Sequence, residues 1–197
     1  MVEFHNLGFP TWVSSVLTIA EKYSIDPYSV NHSEFKVRCK EKVRDYYRNS
    51  WVLQIQNLTQ NPGLRNYGIF KNVFEFENYL SQVKKIKYRH AIVKLRTSSH
   101  DLRVETGRHQ HEAVEERVCR ICKNIEDEIH FVFECKINQD LRSNFMFKVD
   151  DKYPHFTHMR VNEKYKFLLM SKDPQLLTWL GKFLFESFDL RKLRLNN

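Results

Sequence analysis

The segment CRICKNIEDEIHFVFEC, residues 119–135, contains three of the four cysteines of the chain, with one histidine between them. Their spacing is C-x2-C-x7-H-x4-C, formed by Cys119, Cys122, His130 and Cys135. Structural zinc takes four sulfur or nitrogen ligands at tetrahedral corners, and a C-x2-C turn brings two thiolates together. We therefore predict one structural Zn2+. Because all four positions would be filled by the chain, no position is left open for a catalytic water.

Two other interpretations of these cysteines stay open. C-x-x-C is also the spacing of a redox pair, although the βαβ pattern around a thioredoxin-like pair is not visible here. A cysteine can also be simply a small buried apolar residue, which is how we interpret Cys39 on the apolar face of a predicted helix. His109, His111, His155 and His158 could compete as ligands, but we interpret them as loop histidines.

The composition is that of a folded protein. The chain has 197 residues, of which 42% are hydrophobic and 14% aromatic, with five glycines and five prolines. This length suits one medium domain or two small ones. The sequence has no run of about eighteen apolar residues, so we predict no membrane-spanning helix. The first residues do not resemble a signal peptide. We expect an intracellular protein, nuclear or cytoplasmic and not secreted, in which reduced thiols favour metal over disulfides.

Apolar residues recur at intervals of three and four, which predicts a mainly α fold: a helical domain with a small CCHC zinc-knuckle insertion. The segment IHFVFE, 129–134, is rich in β-forming residues and is the best strand candidate. Residues 101–111 are polar and are predicted to be irregular, with a turn at Gly107. The predicted helices cover 11–23, 34–57, 73–83, 84–98, 137–149, 162–170 and 174–195.

These patterns predict three regions. Residues 1–111 form a helical region that contains a basic helix and loop at 84–108. Residues 112–136 form the zinc knuckle, and residues 137–197 form C-terminal helices that pack on the rest. Pro174 fits the first position of the last helix, where its missing N–H has no partner to lose.

Positive charge is concentrated ahead of the knuckle. The formal net charge is +8, and residues 83–109 carry eight Lys or Arg against two acidic residues. Residues 112–135 carry seven acidic residues against three basic ones. Lysine and arginine next to aromatic side chains are typical of nucleic-acid binding, although a solvated helix face has the same composition. The predicted RNA or DNA contacts are Lys84, Lys85, Lys87, Arg89, Lys94, Arg96, His100, Arg103, Arg108 and Arg120.

The acidic knuckle is not expected to bind phosphates strongly by itself. We predict instead that zinc fixes the path of residues 112–135, so that the basic helix and the Arg103/Arg108 loop present one cationic surface. Glu126, Asp127 and Glu128 are interpreted as solvated loop residues that hydrogen-bond N–H groups of the knuckle or orient its histidine.

The run SSHDLRVETGRHQ, followed by EERVCRICKNIEDEIHFVFEC, resembles the region after the polymerase core in non-LTR (LINE-type) retrotransposon reverse transcriptases. The resemblance implies a zinc knuckle that helps to hold template RNA or target DNA, with a reverse transcriptase core as a possible partner. The N-terminal portion and residues 67–83 are also similar to that family, with less specific motifs. The residues that carry the resemblance are Arg96, Ser98, His100, Leu102, Glu105, Gly107, Arg108, Cys119, Cys122, Glu126, Asp127, Glu128, His130, Phe131, Cys135, Leu141 and Arg142.

Enzymatic motifs of that family are missing from the chain. Asp150-Asp151 follow Lys148-Val149, so the aromatic residue of the polymerase signature is absent. Asp173-Pro174 has the reverse order of the endonuclease Pro-Asp motif. We therefore expect no enzyme activity. The alternatives are a zinc-stapled module that binds protein and not nucleic acid, or an inert product of a decayed element; the sequence leaves the oligomeric state open.

Overall fold

A computed structural model describes residues 12–28, 32–71 and 73–196. The chain divides into two compact units, Met1–Gln56 and Asn57–Asn197. The predicted region boundaries near residues 111 and 136 both lie inside the second unit. No helix in the part of the chain that the structure describes is long and apolar enough to cross a lipid bilayer.

In its described residues, 12–28 and 32–56, the first unit has two helices, α1 (Trp12–Lys22) and α2 (His32–Gln56). Tyr23, just after α1, stacks edge-on against Tyr46 of α2 at 5.1 Å between ring centroids. The Tyr23 and Tyr47 hydroxyls are 3.2 Å apart and share a hydrogen bond. Among the described residues of this unit only Ala20 is buried, so the side chains of α2 face mostly solvent.

Seven further helices, joined by short turns, make up the described residues of the second unit, 57–71 and 73–196. They are α3 (Tyr67–Phe70), α4 (Asn78–Gln82), α5 (Ile86–Arg96), α6 (Arg103–His109), α7 (Gln139–Lys152), α8 (Val161–Met170) and α9 (Pro174–Asn196). Turns of 3-10 helix lie at Pro62–Leu64, Val114–Glu116, Lys136–Asn138 and Pro154–His158, and one π-helical turn lies at His130–Glu134.

Helices α5 and α9 form the centre of this unit. A Cβ at Gly181 of α9 would lie 2.8 Å from Tyr88 Cβ and 2.9 Å from its carbonyl oxygen, so only glycine allows the two helices to approach this closely. The knuckle contributes Phe131 and Val132 to the same core. Other buried core residues are Ile92, Leu95, Leu102, Phe145, Val149, Phe156, Leu168, Leu169, Leu176, Leu177, Leu180, Phe183 and Leu184.

The mainly α prediction is confirmed, and three local predictions are wrong. Of the helix predicted over residues 73–83, only Asn78–Gln82 is helical. The segment predicted as a strand forms the π-helical turn His130–Glu134, because burial of Phe131 and Val132 overrides their β propensity. The segment predicted as irregular contains α6. Its first amides are bound by Glu126, a residue that is distant in sequence. Arg103 N–H donates to Glu126 Oε2 at 2.8 Å, and Val104 N–H donates to the Glu126 carbonyl at 3.1 Å.

Candidate metal centre and basic groove

The first half of the knuckle is a tight reverse turn. Val118 and Ile125 pair in an antiparallel bridge, and Cys119 N–H donates to the Asn124 carbonyl at 2.8 Å. Lys123 has a φ of 63°, a left-handed conformation that reverses the chain between them. The Cys122 amide lies 3.5 Å from Cys119 Sγ and donates to it, so the turn directs both sulfurs to one side.

The second half is the π-helical turn. Asp127 Oδ1 accepts a hydrogen bond from the His130 amide at 2.7 Å, which fixes the start of the turn. Cys135 N–H donates to the His130 carbonyl at 2.8 Å. Lys136 N–H then donates to Cys122 Sγ at 3.3 Å, which joins the end of this turn to the first half of the knuckle.

The four predicted ligands are brought together. The ligand atoms of Cys119, Cys122, His130 and Cys135 all lie within 4.8 Å of one another. Cys135 Sγ is 3.9 Å from Cys119 Sγ and 4.0 Å from Cys122 Sγ. A tetrahedral site with metal–sulfur bonds of about 2.3 Å requires sulfur–sulfur edges of about 3.8 Å. The four residues could therefore hold one metal ion.

Two further features fit a metal. His130 Nδ1 lies 3.4 Å from Glu134 Oε2, whereas His130 Nε2 is buried and has no hydrogen-bond partner in the described part of the chain. A ligating histidine normally bonds a carboxylate or carbonyl through its other nitrogen. Burial, with smaller contributions from the neighbouring Cys119 and Cys122 thiols, raises the pKa of the Cys135 thiol to about 12. A metal ion would have to displace that proton, because the thiolate is the ligand.

The acidic residues between the ligands are not solvated, which corrects the sequence interpretation of Glu126 and Glu128. Glu126 is buried and accepts two hydrogen bonds from the Arg191 guanidinium of α9, at 2.8 and 2.7 Å. Because Glu126 also binds the start of α6, one carboxylate joins the knuckle to two helices. Asp127 acts within the knuckle, on the amide of His130, as predicted.

Glu128 is the centre of a second buried network. Its Oε1 accepts hydrogen bonds from Arg65 at 2.6 Å, from Ser98 at 3.1 Å and from His100 at 2.9 Å. Arg65 also pairs with the buried Glu105. Burial alone would raise the pKa of Glu128, but the His100 hydrogen bond and the Arg65 charge outweigh it, so the pKa is lowered.

Two of the predicted nucleic-acid contacts are internal. Arg96 is 3% exposed, pairs with Glu77 at 2.6 Å, and has its guanidinium 4.2 Å from the centre of the Phe70 ring. The His100 side chain is fully buried against Glu128. Buried side chains cannot reach a phosphate, so Arg96 and His100 are structural and do not belong to a binding surface.

Two more predicted contacts are already paired. Arg103 is bound to Glu112, and Arg108 is bound to Glu105 at 2.7 Å; all these pairs are at least partly shielded from solvent. Arg103 and Arg108 therefore have carboxylates that would compete with phosphate. The predicted role of Arg103 and Arg108 as a free cationic loop is therefore wrong: both lie in α6 and are ion-paired, within the helix or to the turn that follows it.

The basic residues at the start of α5 are accessible. Lys84, Lys85 and Lys87 are exposed. The Lys87 ammonium lies 4.5 Å from the centre of the Phe185 ring of α9, and the partly buried Arg89 donates to the Leu80 carbonyl at 2.6 Å. Of these side chains, Lys87 lies where α5 meets α9.

Beside the knuckle lies a groove with a volume of ≈ 500 Å3, here called the basic groove. Lys94, Arg120 and Lys192 line it; they are exposed and have no ion-pair partner among the described residues. Arg103 and Arg191 also line it, together with His100, Thr106, Gln110, Phe188, Leu195 and two acidic residues, Asp101 and Asp189.

The sequence identified Lys94 and Arg120 but missed Lys192 and Arg191. Both lie on α9, far along the chain from the cysteines. One signal was present: Arg191 continues the apolar face that runs through Leu176, Leu180 and Leu184. A charged residue at such a position indicates a buried partner of opposite charge, which is Glu126.

Fold and site together define a mainly α protein with a buried Cys3His cluster that could hold a metal ion. Comparisons of the chain with protein-family models, with curated proteins and with solved structures found no match.

Proposed function

We propose that this chain is a non-enzymatic module in which a structural zinc ion supports a nucleic-acid-binding groove. The observation that carries the proposal is the convergence of Lys94, Arg120 and Lys192 on the basic groove. They come from α5, from the C-x2-C turn and from α9. These three exposed, unpaired cations outnumber the two acidic residues of the groove, Asp101 and Asp189. The excess of positive charge favours a polyanion, because phosphates release their bound counterions on contact.

Zinc is the metal that the ligand set supports best. Three thiolates and one imidazole suit a tetrahedral ion that carries no redox chemistry, and a closed four-ligand site is typical of structural zinc. When bound, the ion would supply a cross-link between the two halves of the knuckle. Arg120 lies within the C-x2-C turn, so its position in the groove depends on that cross-link.

Glu126 extends the same support to the groove walls. It holds the guanidinium of Arg191 and the first amide of α6 at once. The knuckle thus orders both sides of the groove through its carboxylates, while Arg120 supplies free charge. On the resemblance to retrotransposon proteins, the bound polymer would be template RNA or target DNA beside a reverse transcriptase core.

Substitution of the groove cations tests this function. We expect K94Q/R120Q/K192Q to bind single-stranded RNA and duplex DNA at least about tenfold more weakly at physiological salt. Each lost phosphate contact should also flatten the salt dependence of log K by about 0.7 on a single strand. The measurement is fluorescence anisotropy of labelled RNA and DNA across a salt series.

The matched control removes three charges elsewhere. Lys148, Lys166 and Lys172 are exposed, unpaired by any described carboxylate and outside the groove, so K148Q/K166Q/K172Q has the same net charge as the groove variant. It should bind nearly as tightly as the parent. Equal losses in the two variants would mean that binding follows net charge and that the groove is not the site.

A protein-binding module is the second candidate, and one surface favours it. Phe76 is 71% exposed, and the exposed Val73 and Met170 line the same surface depression. Apolar patches of this kind often mark protein contacts. A parent protein that holds zinc but binds neither RNA nor DNA at low salt would favour this function over the groove.

A further inference from the structure

We infer that α2 is a second nucleic-acid-binding element, separate from the basic groove and carried by the other compact unit. Six cations lie on α2 against three acidic residues, Glu34, Glu41 and Asp45. All six are exposed. They are Lys36, Arg38, Lys40, Lys42, Arg44 and Arg48.

Four of these cations form one stripe. Lys36, Lys40, Arg44 and Arg48 recur every four residues, so they fall within about 120° of the helix circumference. None of them has an ion-pair or hydrogen-bond partner in the described ranges. Like charges at this spacing destabilise a helix, and an anion along the stripe would relieve that repulsion.

An aromatic side chain accompanies the stripe. By the helical period Tyr47 falls between Lys36 and Lys40 around the axis. Its hydroxyl is held by Tyr23, and its ring packs edge-on against Tyr46 at 5.4 Å between ring centroids. Cations next to a fixed aromatic ring are the combination that binds a phosphate backbone and stacks on bases.

Core packing and membrane binding account for α2 less well. None of residues 34–56 is buried, so the cations do not compensate a polar core. A helix that lies on a membrane presents one apolar stripe opposite its charges. The exposed apolar residues Val37 and Leu53 lie about 160° apart around α2, on opposite sides. The partner that fits is the phosphodiester backbone of RNA or DNA.

The test uses the full chain with K36Q/K40Q/R44Q/R48Q. Glutamine keeps helix propensity near that of lysine and arginine, and circular dichroism verifies the helix content. We expect at least a fivefold loss of affinity for single-stranded RNA, duplex DNA or both, with a flatter salt dependence. Loss on only one polymer supports the inference and identifies the polymer that α2 contacts.

Two comparison variants make the result decisive. K148Q/R160Q/K166Q/K172Q removes four exposed charges from the second unit and should bind like the parent. E41Q/D45N raises the charge of α2 and should bind more tightly. If the α2 variant binds as tightly as this four-charge control, or if it loses only binding to phosphatidylserine vesicles, the inference is overturned.

Failure of this inference and failure of the groove proposal can be told apart. The α2 inference fails if K36Q/K40Q/R44Q/R48Q keeps parental affinity while K94Q/R120Q/K192Q is weakened. The groove proposal fails if the reverse is observed, and α2 then stands as the binding element. If the parent binds neither polymer, both are overturned.

Discussion

At the scale of single residues, the run of three acidic side chains between Cys122 and His130 ties the knuckle to the helical body. Glu126 binds Arg191 of α9, and Glu128 binds Arg65 and His100. A buried carboxylate is stable only with such partners, because an unpaired buried charge loses its hydration without compensation. The metal ligands and the residues between them therefore act as one unit.

Removal of the Glu128 carboxylate should leave Arg65 and His100 without their shared partner. We expect E128A to lower the free energy of unfolding by about 3–5 kcal/mol, since breaking a buried ion pair costs far more than an exposed one. The measurement is urea denaturation of the zinc-loaded protein. The exposed Glu115 provides the control, and E115A should change stability by less than about 0.5 kcal/mol.

The pH dependence of the same variant has a definite sign. Because the pKa of Glu128 is lowered in the folded protein, its stabilising effect is present above the unfolded pKa and is lost as pH falls below it. The stability difference between parent and E128A should thus be constant near neutral pH and shrink only in acid. A difference that grows on acidification would contradict the network.

The convergence of the four candidate metal ligands could be predicted from sequence because all four lie within seventeen residues, where spacing limits geometry. The partners of Glu126 and Glu128 could not, because Arg65, His100 and Arg191 come from distant parts of the chain. Arg96 and His100 were assigned to the surface for the same reason: composition identifies a basic segment, but only packing shows which side chains point inward.

At the scale of elements, α6 and the knuckle meet at Gly107. A Cβ there would lie 2.6 Å from Arg117 Cγ and 2.5 Å from Glu112 Oε2. Arg117 cannot easily move aside, because its guanidinium donates to the Glu112 carbonyl at 3.1 and 2.7 Å. The glycine was predicted as a turn residue. It lies instead within a helix, and its role is to allow close approach of the chain that enters the knuckle.

G107A should therefore push the knuckle away from α6. We expect a loss of about 1–3 kcal/mol in the free energy of unfolding, the usual cost of overpacking a tight contact. Gly63 offers a matched control, because a Cβ there would meet only Arg108 Nη2 at 3.8 Å. Denaturation of G107A and G63A compares the two, and equal effects would show that the contact with Arg117 is unimportant.

The element boundaries show where sequence patterns suffice. Sequence patterns predict six of the helices, because each packs a continuous face or carries strong helix formers. They are α1, α2, α5, α7, α8 and α9. Sequence patterns do not predict the turn at 129–134 or α6, because the conformation of each segment depends on contacts with the other. The buried turn that holds His130 also positions Glu126 against the first amides of α6.

At the scale of the whole molecule, the second unit has two sources of stability, and the proposed zinc would affect them unequally. The core of α5, α7, α8 and α9 is apolar. The knuckle contributes to it through Phe131 and Val132, which follow His130 in the chain. The turn around Cys119 and Cys122 buries little apolar surface; Ile121 and Ile125 are both exposed. The proposed metal would cross-link that turn, whereas residues 126–135 are also held by Glu126, Glu128 and the core.

Removal of zinc should accordingly loosen only part of the second unit. The protein purified under reducing conditions should contain one zinc per chain, which C119S/C122S loses and C39S keeps, because Cys39 lies outside the cluster. By hydrogen exchange, residues 112–125 should lose protection in C119S/C122S or after chelation, while α5 and α9 stay protected. Nucleic-acid affinity should fall when residues 112–125 loosen, because Arg120 then leaves the groove. Cooperative loss of α5 and α9 protection would show instead that zinc is required for the entire core, and parental zinc content in C119S/C122S would rule out this metal site.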